Sequence, residues 1–255
     1  MSLPETTPNS AASTVRFDRL DLAALIFTMV FPTFVTLVYF QWLQNSESSL
    51  QQVAFGMGKI VQFGFPIAWV WFRHRDKLFR KSKFKTFSRN DIFAGIGFGL
   101  AVVVAMFVIY FFVLAPTETG TKLNEMVKAK VSQMGLDSFW KYLAVGVFYA
   151  ICHSFLEEYY WRWFVFEFLQ KFVSTAWANF LSSVGFMAHH VVLLGFFFNW
   201  SIWTYVLSAS IAVGGSFWAW QFKTTDKLRV PWISHAIVDA GIFSLGYFLV
   251  KALFS

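Results

Sequence analysis

Residues 139–162 read FWKYLAVGVFYAICHSFLEEYYWR. From Phe139 to Leu156 the only polar charges or imidazoles are Lys141, near the start, and His153. At 1.5 Å per residue such a run covers most of the ~30 Å of a bilayer's hydrocarbon. It reads as a transmembrane helix, and it ends by delivering two adjacent carboxylates, Glu157 and Glu158, among Tyr159, Tyr160 and Trp161. A charged side chain at mid-bilayer costs on the order of 3 kcal/mol on insertion scales. Carboxylates in that setting need a partner, a water-filled cavity or a task.

The rest of the chain repeats the apolar pattern. Of its 255 residues 57% are apolar, including 34 Phe and 12 Trp, and only 14% are charged, against roughly 25% in an average soluble domain. Seven spans are expected, at Leu22–Phe40, Val53–Phe72, Ile92–Leu114, Phe139–Leu156, Ala176–Phe198, Ser201–Phe222 and Trp232–Val250. The fold class is therefore all-α, a polytopic transmembrane helical bundle. A polar, disordered cytoplasmic tail at 1–18 precedes one membrane domain at 19–255. Pro32 and Pro66 are expected to bend their helices, and the apolar stretch to Phe172 to continue or bend the fourth. Gly56, Gly58 and Gly64 permit close packing in the second span; Gly95 and Gly99 form a weak Gly-x-x-x-Gly match in the third. Lys59, inside the second span, is expected to snorkel to the nearer interface. Leu123–Val131 reads as a short amphipathic helix on the outer surface.

The net charge of +7 does not point to nucleic acid. The basic residues gather in loops beside spans, above all Arg73, Arg75, Lys77, Arg80, Lys81, Lys83, Lys85 and Arg89, as the positive-inside rule requires of a cytoplasmic loop. With that loop inside, 14 Lys and Arg fall on the inner segments and five on the outer, Lys59 and Arg162 being left unassigned. The N-terminus is then cytoplasmic and the C-terminus external. A single cysteine, Cys152, excludes an intramolecular disulfide and any zinc cluster built on Cys.

The ionisable residues left in the later spans fall into three groups. In the first, Glu158 and Arg162 are four apart on a helix and can pair. Glu157, turned by about 100°, has no such partner, which makes it the better general base. His153, four residues earlier, either packs in the core or tunes Glu157. The second group is Phe186-Met187-Ala188-His189-His190. The third is His235 with Asp239, one turn apart, where Asp239 can orient the imidazole or join it in binding a metal or substrate. A set of interhelical hydrogen bonds is the purely structural reading of the same residues.

The order Glu-Glu-x-x-x-Arg, Phe-x-x-x-His, His-x-x-x-Asn/Asp resembles the CPBP intramembrane endopeptidases, which include CAAX prenyl proteases and proteins linked to bacteriocin self-immunity. The resemblance spans roughly 140–250. It matches Glu157, Glu158 and Arg162 to the first motif, Phe186 and His190 to the second, and His235 and Asp239 to the third. It implies hydrolysis of a peptide bond in a membrane-associated, lipidated or hydrophobic substrate. Glu157 and His190 would activate water, and His235 with Asp239 would stabilise the oxyanion; Glu158, Arg162 and Phe186 would support them. Where the prenyl proteases have Asn, this chain has Asp239, which donates a hydrogen bond only when protonated. No cofactor is favoured, although zinc on Glu157, His190 and His235 remains open. The expected partners are a peptide or protein substrate and the bilayer, at a bacterial inner membrane, with a cavity opening to the cytoplasm. The competing readings are a non-catalytic scaffold or immunity protein that retains the fold, and a transporter with a carboxylate–histidine relay.

Overall fold

A computed structural model describes residues 18–75 and 89–254. The expectations for the N-terminal tail, and for Lys77, Arg80, Lys81, Lys83 and Lys85 of the basic loop, lie outside the described residues. Among those residues the chain forms helices and turns only: α1 (Arg19–Trp42), α2 (Ser48–Arg73), α3 (Arg89–Val108, continuing through Ile109–Leu114), α4 (Glu118–Gln133), α5 (Phe139–Leu169), α6 (Thr175–Phe198), α7 (Ile202–Thr225) and α8 (Arg229–Leu253). Seven of them, all but α4, are long and apolar enough to cross a membrane. The protein is a multi-pass integral membrane protein built as a helical bundle.

The two prolines stay inside continuous helices, and Pro32 does more than interrupt a ladder. Proline has no N–H, so the carbonyl four residues earlier, at Thr28, loses its helical donor. The Tyr160 hydroxyl donates to Thr28 O at 2.5 Å. One residue back on α5, Tyr159 donates to Phe63 O of α2 at 3.4 Å. The two tyrosines that follow the glutamate pair thus tie it to α1 and α2.

Glycines set the closest helix crossings. A Cβ at Gly95 would stand 2.9 Å from Val230 O, and one at Gly99 2.9 Å from both Ser234 O and Ile237 Cβ. The weak Gly-x-x-x-Gly match is therefore the seam on which α3 packs against α8, beside His235. In α2 only Gly58 is used this way, against Val35 of α1; Gly56 and Gly64 have nothing within 4 Å. Helix α6 ends at Asn199 (φ 49°) and Trp200 (φ 55°), a left-handed turn into α7 that folds the Trp200 indole onto Gly195.

Two apolar clusters fill the bundle. One surrounds Tyr160, Trp161, Phe164, Phe186 and Trp218. The other, around Tyr110, Leu114, Tyr142 and Val250, receives Leu123 and Val127 of α4, so the amphipathic helix docks on the bundle. Its Lys130 is buried with the ammonium 4.3 Å from the Tyr39 ring centre and 5.6 Å from that of Phe40.

Candidate active site

Helix α5 is irregular where it carries the carboxylates. A single α-helical turn, Ser154–Glu158, lies between two π-helical stretches, Tyr149–His153 and Tyr159–Phe166. Such π turns are rare and recur at functional sites, because each added residue re-aims the side chains that follow. Both carboxylates are buried, Glu157 at 3% exposure and Glu158 at 0%.

Glu158 faces two cations or potential cations. Arg162 Nε is 3.1 Å from its Oε2, both side chains fully buried, and His235 Nδ1 is 2.9 Å from its Oε1. The Arg162 contact is an ion pair without hydrogen-bond alignment, and the remaining guanidinium nitrogens have no hydrogen-bond partner among the described residues. Aromatic faces hold them instead, with Phe186 at 5.2 Å and Trp218 at 5.7 Å. Trp218 also stacks on the His235 ring at 4.3 Å and donates its Nε1–H to Ser234. Phe186, the supporting residue of the second motif, is thus a wall between Arg162 and the histidines.

Glu157 faces imidazoles on three sides. Its Oε1 lies 3.5 Å from His189 Nε2 and 3.8 Å from His153 Nε2, and its Oε2 lies 3.7 Å from His235 Nε2. These separations are too long for direct hydrogen bonds and suit a bridging water or ion. His190 hydrogen-bonds through Nδ1 to Phe186 O at 2.9 Å. A carbonyl only accepts, so Nδ1 carries the proton and Nε2 keeps its lone pair for the site. Asp239 Oδ1 is 3.6 Å from His235 Nε2.

The geometry brings Glu157, His190, His235 and Asp239 close together, and adds three features. His189 points inward as well, stacked on Trp161 at 5.9 Å; its position beside His190 was the only signal for it. The group that holds His235 by Nδ1 is Glu158, not Asp239, which faces the other nitrogen. The donor atoms of Glu157, His189 and His190 lie within 4.8 Å of one another. Among the described residues, the set that could hold a metal is therefore those three rather than one including His235. A carboxylate with two imidazoles is a donor set that zinc accepts in catalytic sites, so these residues fit the ion.

Fold and site together define a polytopic helical membrane protein with a carboxylate–histidine centre inside its spans. Residues 139–241 match the family model described as type II CAAX prenyl endopeptidase Rce1-like, which is the CPBP/CAAX protease family of the three motifs. The match begins at the start of α5 and ends just past Asp239. Comparison with curated proteins gives no match, and comparison with solved structures gives none either.

Proposed function

We propose that the protein is a glutamate-dependent intramembrane endopeptidase that hydrolyses a peptide bond of a hydrophobic or lipidated membrane substrate. The observation that carries this reading is the ring of histidines around a buried Glu157, set apart from Glu158, which pairs with Arg162. Glu157 takes a proton from water as that water attacks the scissile carbonyl, and His190, an acceptor at Nε2, holds the same water in line. The oxyanion forms on the side of His235 and Asp239. His235 Nδ1–H donates to Glu158, so Nε2 donates to an oxyanion only in the imidazolium form, whose counter-charge is Glu158 at 2.9 Å. Protonated Asp239 would be the second donor. The collapse of the tetrahedral intermediate returns the proton from Glu157 to the leaving amine.

A second reading has a specific observation behind it, the clustering of Glu157, His189 and His190. Zinc held by these residues would polarise the carbonyl as a Lewis acid. The scaffold or immunity reading is not favoured by a family of proteases. Cleavage of a panel of hydrophobic and lipidated peptides by the purified protein and by Glu157→Ala tests the proposal. Turnover by the wild type and its loss in the variant are expected; no turnover by folded wild type on any peptide overturns it.

A further inference from the structure

The π-helical stretch ahead of the glutamates redirects backbone hydrogen bonds, and two side chains answer for it. The Ser154 N–H reaches back five residues to Tyr149 O, so it does not go to Ala150 O, its acceptor in a regular helix. The Ser154 hydroxyl donates to Ala150 O instead, at 2.5 Å. The next carbonyl, Ile151 O, accepts from the Trp232 indole Nε1–H at 3.0 Å, from a residue 81 positions away on α8. A tryptophan three residues from a helix end is ordinarily an interfacial anchor, with its N–H turned to water or headgroups. Here the N–H is turned to a backbone carbonyl, and the ring meets Phe155 edge-on at 5.4 Å. The bond lies in a groove of about 390 Å³ between α5 and α8, whose other lining residues, Val147, Ala236 and Ala240 among them, are all apolar. None of them can replace the indole as a donor.

The place of this bond gives it a consequence for the site. Ile151 lies six residues before Glu157, and Trp232 three before His235. The same two helices meet again where His235 Nδ1 donates to Glu158 Oε1 at 2.9 Å. The two bonds bracket the single α-helical turn, Ser154–Glu158, that carries both carboxylates. A π turn holds one extra residue, and a slip to α-helical register would swing the side chains that follow through about 100°. Glu157 would then leave its ring of histidines. We infer that Trp232 is a positioning residue: by hydrogen-bonding Ile151 O it holds the π turn in register, and so keeps Glu157 of α5 aligned with His235 of α8. This rests on the endopeptidase reading.

The test uses the full-length protein in nanodiscs and the panel of hydrophobic and lipidated peptides. Trp232 is replaced by Phe and, separately, by benzothienylalanine, which keeps the bicyclic ring and has sulfur in place of the N–H. Both forms should lose about 10- to 100-fold in kcat, the scale of an ångström's misplacement, with KM little changed. Val147→Ala, which widens the same groove and leaves the bond in place, should keep the wild-type kcat. In amide hydrogen exchange, residues 149–158 should open faster in both Trp232 forms and the rest of the chain should not change. Wild-type kcat in the benzothienylalanine form overturns the inference, because the ring and not the N–H is then what matters. So does an equal loss in Val147→Ala, or faster exchange spread over the whole chain, either of which makes Trp232 a packing residue. Unchanged exchange over 149–158 overturns it whatever the rate. If the wild type cleaves no peptide, the protease reading fails, and faster exchange confined to 149–158 still supports the indole as the pin of the turn.

Discussion

Glu157 and Glu158 are adjacent in the chain and opposite in their surroundings, so the same substitution should do different things to them. Glu158 compensates a fully buried Arg162 and fixes His235. Removing one partner of a buried pair typically costs about 3–5 kcal/mol, because the other charge is left stranded. Glu158→Gln should therefore lower thermal stability and folded yield together with activity. Among the described residues the ionisable groups within 4 Å of the Glu157 carboxylate are imidazoles, at 3.5–3.8 Å. Glu157→Gln should keep the unfolding temperature and lose about 10²–10⁴-fold in cleavage rate, the usual worth of a general base. Near wild-type cleavage by Glu157→Gln would remove it as the base, and two equally stable, equally dead proteins would make the carboxylates a single unit. The Glu158–Arg162 pair was legible in the sequence because it is local, four residues along one helix. The Glu158–His235 bond was not, since no spacing rule connects side chains 77 residues apart.

At the scale of elements, hydropathy alone placed the spans, because length and apolar content decide whether a helix can cross. It is silent on α5's π turns: the backbone there changes register while the apolar pattern continues. It is equally silent on which glycines are contacts. Gly97 and Gly99 look alike in sequence, yet Gly97 has nothing within 4 Å and Gly99 abuts α8. Gly97→Ala should leave activity and thermal stability unchanged or slightly raised. Gly99→Leu should push α8 and His235 away and lower both; equal behaviour of the two would remove the seam. Lys130 gives α4 a pH signature. Burial pushes its pKa below the usual lysine value, so the folded state binds that proton more weakly than the unfolded chain. Stability therefore rises as pH climbs through the folded pKa toward the unfolded value of about 10.4. Relative to Lys130→Met, the wild type's unfolding temperature should gain ground between pH 7 and pH 10, and a constant difference would contradict this.

For the whole molecule the remaining question is which way it sits, and charge outside the spans is the argument. Fourteen Lys and Arg on one side against five on the other favour a cytoplasmic N-terminus and a cytoplasmic 73–89 loop. Seven spans then put α4 outside and the α5–α6 and α7–α8 connections inside. Glu157 is 12 residues from the inner end of α5 at Leu169 and 18 from its outer end at Phe139, about 18 Å and 27 Å along the axis. His235 is six residues from the inner end of α8, about 9 Å. A substrate would then reach the site from the cytoplasmic leaflet. In a Cys152→Ser background, Lys81→Cys should resist a membrane-impermeant maleimide until the cells are opened. Lys122→Cys, on the exposed face of α4, should react in intact cells. The reverse labelling would invert the molecule, move the approach to the outer leaflet and leave the geometry around Glu157 untouched.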